Sequence, residues 1–200
     1  MSAVSLREQH AELTRERILR AVAELLESGQ ADDITVPDVA AASGVSLRTI
    51  YRYYTAREQL LEAAGRWIGD ELFKHPYPRS LDDTAERFRS ECVHFDDRPG
   101  LVRALALSQL GREVRSPRRQ ERMEAIRRAL HEEVGALPED ELRRAEAVLG
   151  YLHNMLAYTT MREENGLTGE EIGEALGWAI GTLIADLRRR NRQQRRKGNE

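Results

Sequence analysis

Apolar positions along the chain recur with helical spacing. Ile18, Ala21, Val22, Leu25 and Leu26 fall at i, i+3, i+4, i+7 and i+8, a single stripe. This predicts a helix from about Glu12 to Glu27, ended by Gly29. In "DDITVPDVAAASGVS", Thr35 is placed to cap a second helix, with Asp38 completing a capping box and Pro37 in the first turn, where its missing N–H is harmless. Ser43-Gly44 stops that helix after about two turns. Ser46 then caps a third helix through "LRTIYRYY", and Thr55 caps a fourth, whose apolar positions are Leu60, Leu61, Ala64, Trp67, Ile68 and Leu72. "HPYPRS" is the clearest break. Beyond it the pattern predicts helices over about Asp82–Phe95 and Leu101–Leu110. A further helix starts at the cap-plus-proline pair Ser116-Pro117 and runs to about Val134. Another runs from near Pro138 to about Glu164, and a last one follows Gly166, capped by Thr168 with Glu171. No alternating strand pattern of useful length interrupts them. The expected fold is all-α: three short helices in residues 1–56, a connecting helix over 57–75, a larger helical domain over 76–187, and a basic, disordered tail over 188–200.

Composition narrows the class. Hydrophobic residues make up 40% and charged residues 32%, which suits a soluble, charge-rich helical protein. The N-terminus lacks an apolar run followed by a small-residue cleavage site, so no secretory signal is expected. No stretch approaches the ~20 apolar residues of a membrane span, and no membrane partner is expected. Cys92 is the single cysteine, which excludes an intramolecular disulfide and four-cysteine metal sites. A cytoplasmic location is the default. With 31 Lys plus Arg against 34 Asp plus Glu, the net charge is -3. Any nucleic-acid contact must therefore come from a local patch.

Such a patch exists. "SGVSLRTIYRYYTAREQLL", residues 43–61, holds Tyr51, Tyr53 and Tyr54 together with Arg48, Arg52 and Arg57, against the single acid Glu58. The segment Thr35 to Tyr53 has the grammar of a helix-turn-helix. Ala40 is small where two helices cross, Gly44 stands where the turn wants a positive φ, and Val45 and Ile50 are apolar where the second helix packs on the first. The face left outward, from Ser46 to Tyr53, can enter a major groove with its N-terminal end near base edges. Arg48 and Arg52 can then meet bases and phosphates, tyrosine hydroxyls can bond phosphate oxygens, and Thr35 and Thr49 add hydroxyl donors. Core packing is the competing reading for a tyrosine-rich helix, and it fits Ile50 and Tyr54 better than the others.

"ITVPDVAAASGVSLRTIYRYYTAREQLLEAA" resembles the DNA-binding domain of the TetR family of transcriptional regulators. The matching positions are Thr35, Val39-Ala40, Gly44-Val45-Ser46, Thr49-Ile50-Tyr51, Tyr53-Tyr54, Arg57 and Leu60. Tyr54 stands where the family usually has Phe, and Arg57 where Lys is more common. The resemblance covers about residues 14–62. It implies that Thr35, Tyr51, Tyr53 and Arg57 hold the DNA backbone, and that Leu47, Arg48 and Thr49 face bases. It also implies a homodimer on a near-palindromic operator, repression of transcription, and a rear domain that encloses a small-molecule effector.

The rear domain supports dimerisation more directly than a pocket. In "EEIGEALGWAIGTLIADL", Ile172, Leu176, Ala179, Leu183 and Leu187 form one stripe, and Gly173, Gly177 and Gly181 recur beside it. Glycine costs ~1 kcal/mol in a helix interior, so three on one face predict close approach of another backbone. The preceding helix is apolar nearly all round. Leu149, Leu152, Leu156, Gly173, Gly177, Ile180, Gly181 and Ile184 are the expected dimer contacts, in a four-helix bundle. An ordinary monomeric core is the alternative. Pocket candidates are Trp67, Phe88, Cys92, His94, Met123, His153, Asn154, Tyr158 and Trp178, although apolar walls with a few polar groups also describe any core. Cys92-x-His94 lacks further ligands, so no metal and no cofactor is expected. The arginine-rich tail suits a solvated helix end, or a weak nucleic-acid contact. A helical enzyme and a dimeric interaction module without DNA binding remain as rivals. No catalytic motif is legible for the first, and Arg48, Tyr51 and Arg57 speak against the second.

Overall fold

The computed structural model describes residues 5–29, 34–73 and 77–197, and among them the regular structure is helical throughout. Ten helices follow in order: α1 Leu6–Glu27, α2 Val36–Ser43, α3 Leu47–Tyr53, α4 Arg57–Leu72, α5 Leu81–Phe95, α6 Pro99–Leu107, α7 Gln109–Val134, α8 Glu139–Leu152, α9 Met155–Asn165 and α10 Gly169–Lys197. The chain forms two compact units. One comprises residues 1–71 and 100–117, the other residues 72–99 and 118–200.

In the first unit, side-chain caps set the helix starts. Thr35 and Asp38 form the expected capping box ahead of α2, and Ser46 accepts the Thr49 N–H ahead of α3. Gly44 ends α2 at φ 65°, a left-handed conformation that costs a residue with a Cβ ~1–2 kcal/mol. The Arg17 guanidinium of α1 reaches this turn and donates to the Ser43 carbonyl at 2.8 Å. Ile18, Val22, Leu26, Ile50, Leu60, Ala64 and Ile68 form the unit's core. Gly65 of α4 lies against the Val114 carbonyl, where an added Cβ would sit 2.0 Å away, so α4 and the start of α7 touch backbone to backbone.

Three boundaries here differ from the sequence reading. α1 begins at Leu6, because Ser5 and Glu8 make a further capping box. Thr55 does not accept a cap bond; its N–H and hydroxyl both donate to Gln59 Oε1. α7 begins at Gln109 and contains Pro117 within it. Ser108 supplies the earlier start, since its hydroxyl oxygen accepts the Gly111 N–H and its carbonyl the Arg112 N–H.

In the second unit α10 packs along α5, and the glycines of α10 permit it. A Cβ on Gly169 would lie 2.2 Å from the Cys92 carbonyl oxygen, and one on Gly173 2.7 Å from that of Arg89. A Cβ on Gly177 would lie 3.2 Å from the Arg89 guanidinium. Of the three glycines expected to meet another backbone, Gly173 does, and that backbone is α5 of the same chain; Gly177 meets only the Arg89 side chain and Gly181 meets nothing within 4 Å. Asp96 fastens the α5 end: it accepts from Tyr158 Oη at 2.5 Å, from the Gly169 N–H at 2.7 Å, and from Arg162. The single helix expected from Pro138 to Glu164 is broken. α8 ends at Leu152 with His153 as its C-cap, and Asn154 starts α9 by accepting the Leu156 N–H on its side chain. The tail is helical through Lys197, not disordered from residue 188. Arg188 pairs with Asp82 and Glu133, Arg190 with Glu141, and buried Asn191 bonds the backbone at Ala136 and Glu133.

Candidate functional site

α3 presents two faces. Ile50 is fully buried. Leu47, Arg48, Tyr51 and Arg52 are exposed, Leu47 at 42% and Tyr51 at 48%. An exposed leucine and an exposed tyrosine between two arginines make a surface of hydrogen-bond donors on an apolar footing. Tyr53 is half-buried, with the guanidinium groups of Arg15 and Arg52 each 5.2 Å from its ring centroid. This cation–π pair holds two positive charges beside the ring. Tyr54, in ring contact with Tyr53, is also half-buried, and burial raises its pKa. Ile50 thus faces inward, as its spacing predicts, while Tyr54 is half-buried like Tyr53.

The remaining expected contacts carry internal bonds. The Thr49 hydroxyl lies 2.9 Å from the Ser46 hydroxyl. The Thr35 hydroxyl donates to Asp38 Oδ2 at 2.5 Å, and this bond, with that of the Thr35 N–H, holds the Asp38 carboxyl below its usual pKa. Both hydroxyls are therefore engaged in capping. Arg57 is half-buried and its Nε donates to the Ile34 carbonyl at 3.0 Å. That uses one of the five guanidinium N–H donors and fixes where the side chain leaves α4.

The rear-domain candidates scatter. Trp67 lies half-buried on α4, in the first unit. Trp178 is 73% exposed and lines no interior. Cys92 is buried, and burial pushes its thiol pKa far up. His94 is half-buried near Asp97. Met123 lies against Gly150, and Asn154 is spent as a cap. Tyr158 is buried on Asp96. Phe88 and His153 do meet, ring to ring at 4.5 Å. His153 also faces Glu91, and the two line a small pocket with Phe73, Tyr77, Pro78, Arg118 and Arg122. Sequence reasoning missed Glu91 and both arginines because charged residues on amphipathic helices ordinarily face water. Among the described residues no group of three or more His, Cys, Asp or Glu could hold a metal, and no helix is long and apolar enough to cross a membrane.

Of the expected dimer contacts, Leu149, Ile180 and Ile184 are buried within the chain, and Leu152 and Leu156 are half-buried. Gly181 meets nothing within 4 Å of where its Cβ would be. Exposed apolar side chains stand instead at Val148 and Tyr151 of α8 and at Trp178 of α10.

Residues 18–64 match the family model of bacterial regulatory proteins, tetR family. No curated protein matches the sequence. Among solved structures, the chain is similar to NalD of Pseudomonas aeruginosa, described as the secondary repressor of the MexAB-OprM multidrug efflux pump. The TM-score is 0.60 at 15% identity, over 86% of this chain and 96% of that one. A TetR transcriptional regulator from Rhodococcus sp. RHA1 is similar with a TM-score of 0.49 at 18% identity, over 88% of this chain and 97% of that one. The NalD likeness is one of fold. Taken with the matched segment, the capped α2–Gly44–α3 turn and the exposed basic face of α3 lead to one assignment: residues 18–64 form a helix-turn-helix segment that matches the tetR family of bacterial regulatory proteins.

Proposed function

We propose that the protein is a homodimeric repressor that binds a near-palindromic operator through α3 and releases it when a small molecule occupies the second unit. The observation that carries the DNA half is the outward face of α3, where Leu47, Arg48, Tyr51 and Arg52 are exposed around a buried Ile50. Leu47 and Arg48 sit on the first turn after the Ser46 cap, the part of a recognition helix that lies deepest in the groove. Tyr51, Tyr53, Arg52 and Arg57 serve the phosphates. Thr35, Ser46 and Thr49 serve the helix ends first, and through them the aim of the N–H groups behind the caps. In a protein of net charge -3, this face confines the attractive field to one side and favours one docking orientation.

The test is fluorescence anisotropy with the DNA upstream of the protein's own gene, against a scrambled duplex, as salt is varied. A specific complex with a steep negative salt slope supports the reading. Equal affinity for both duplexes leaves a helical interaction module as the better account.

A further inference from the structure

The break between α8 and α9 places a buried polar cluster in the second unit that the DNA-facing chemistry does not use. His153 Nε2 lies 3.3 Å from Glu91 Oε2, with both side chains buried. With the Glu91 oxygen as acceptor, Nε2 carries the proton. Burial also lowers the His153 pKa, which keeps the ring neutral. Nδ1 is then a bare lone pair, and it is buried with no hydrogen-bond partner. A buried acceptor left in this state has lost its hydrogen bond to water and gained none in return. The surrounding pocket has a volume of about 20 Å³. That is room for about one water. Its apolar wall is covered from within: the Arg118 guanidinium stands 4.5 Å from the Phe73 ring centroid and 5.2 Å from that of Tyr77.

We propose that this pocket binds a small neutral hydroxyaromatic molecule, a phenol, whose O–H donates to His153 Nδ1 and whose ring takes the place of the Arg118 guanidinium against Phe73 and Tyr77. The proposal deepens the ligand-responsive reading above and rests on it. The lining chemistry selects among the alternatives. A carboxylate can pair with Arg118 or Arg122 but brings no donor for Nδ1. An ammonium brings donors and finds Glu91, but it has two guanidinium groups, Arg118 and Arg122, beside it. An aromatic hydrocarbon leaves Nδ1 as it stands. A phenol supplies the donor, and its oxygen can still accept from a guanidinium.

The experiment is calorimetric titration of the full-length protein with 4-methylphenol, toluene, benzoate and benzylamine, with the imidazole ¹⁵N resonances of His153 followed in parallel. The expected result is binding of 4-methylphenol with a shift of the Nδ1 resonance, and no such shift with the other three. His153→Leu should weaken that binding at least tenfold. Arg118→Ala, which uncovers the aromatic wall, should strengthen it. Because His153→Leu could disturb folding, the resonance shift in the unaltered protein decides. Benzoate or benzylamine moving the Nδ1 resonance while 4-methylphenol does not would overturn the ligand class. No probe moving it would overturn the site. Operator release is measured separately: a phenol that binds at His153 and leaves DNA affinity unchanged supports the site and overturns only the ligand-responsive reading.

Discussion

On the DNA-binding reading, Arg48 and Arg57 are expected to do different work. Arg48 is exposed on the first turn of α3. Arginine pairs best with guanine O6 and N7, and a good bidentate pair discriminates by roughly 1–3 kcal/mol. Each operator half-site should therefore hold at least one G·C pair that Arg48 reads. In a randomised-site selection, Arg48→Ala should lose stringency there and keep its non-specific affinity; equal stringency at every position would remove Arg48 from base readout. Arg57 is tied to the Ile34 carbonyl just ahead of the Thr35 cap. Its loss should weaken binding to all duplexes alike and reduce the salt slope by about one unit. His153 gives a third expectation, in pH. Its folded pKa is depressed, above all by burial, opposed by Glu91 and reinforced by Arg122 and Arg87. The unfolded chain titrates near the ordinary value of about 6.5, so below that pH it binds a proton the folded chain does not. This contribution to stability is present above pH ~6.5 and is lost as pH falls toward the depressed folded value. Thermal melts at pH 7.5 and 5.5 should show a larger loss in the unaltered protein than in His153→Leu.

Elements show why the two halves differ in legibility. The helix-turn-helix is specified locally: Thr35 with Asp38, Gly44 and Ser46 each act within four residues, so spacing alone carries them. Boundaries failed where a cap was one of several candidates. Ser108 starts α7 although Ser116-Pro117 looks the stronger signal, and Asn154 interrupts a stretch whose apolar pattern never lapses. The glycines of α10 show the deeper limit. Their period announces a close neighbour, but the sequence cannot say which backbone it is. Mutational cost should separate the positions. Gly44→Ala forces a Cβ into left-handed space 3.2 Å from Arg17 Nη2, and should cost about 1–2 kcal/mol. Gly173→Ala puts a Cβ 2.7 Å from a carbonyl oxygen that cannot swing aside, so α5 and α10 must part, and overpacking of this kind costs about 1–3 kcal/mol. Urea melts should show both variants less stable, with Gly173→Ala unfolding earlier despite its better intrinsic helix propensity. A Gly173→Ala protein as stable as its parent would mean that the α5–α10 contact relaxes freely.

For the whole molecule the open question is what covers the exposed apolar side chains of α8 and α10. Trp178 is 73% exposed, Tyr151 53% and Val148 47%. Exposed aromatics of this kind are the residues that dominate interfaces, and removing one from an interface centre commonly costs 2 kcal/mol or more. On the dimer reading, Trp178→Ala should raise the dissociation constant by roughly thirtyfold, the equivalent of ~2 kcal/mol. Two glycines one turn apart supply the control. A Cβ at Gly177 meets Arg89 of its own chain, whereas one at Gly181 meets nothing within 4 Å. Gly177→Leu should therefore lower the stability of the protomer itself. Gly181→Leu should leave the protomer folded, with helix propensity slightly improved, and act only where a second chain approaches. Sedimentation velocity across a concentration series, paired with thermal melts, separates the two effects. The expected pattern is a dimer for the parent, a weakened dimer with an undisturbed protomer for Gly181→Leu and Trp178→Ala, and a less stable protomer for Gly177→Leu. A parent that sediments as a monomer at micromolar concentration would end the dimer reading. A full-strength dimer in both Gly181→Leu and Trp178→Ala would move the interface to another face.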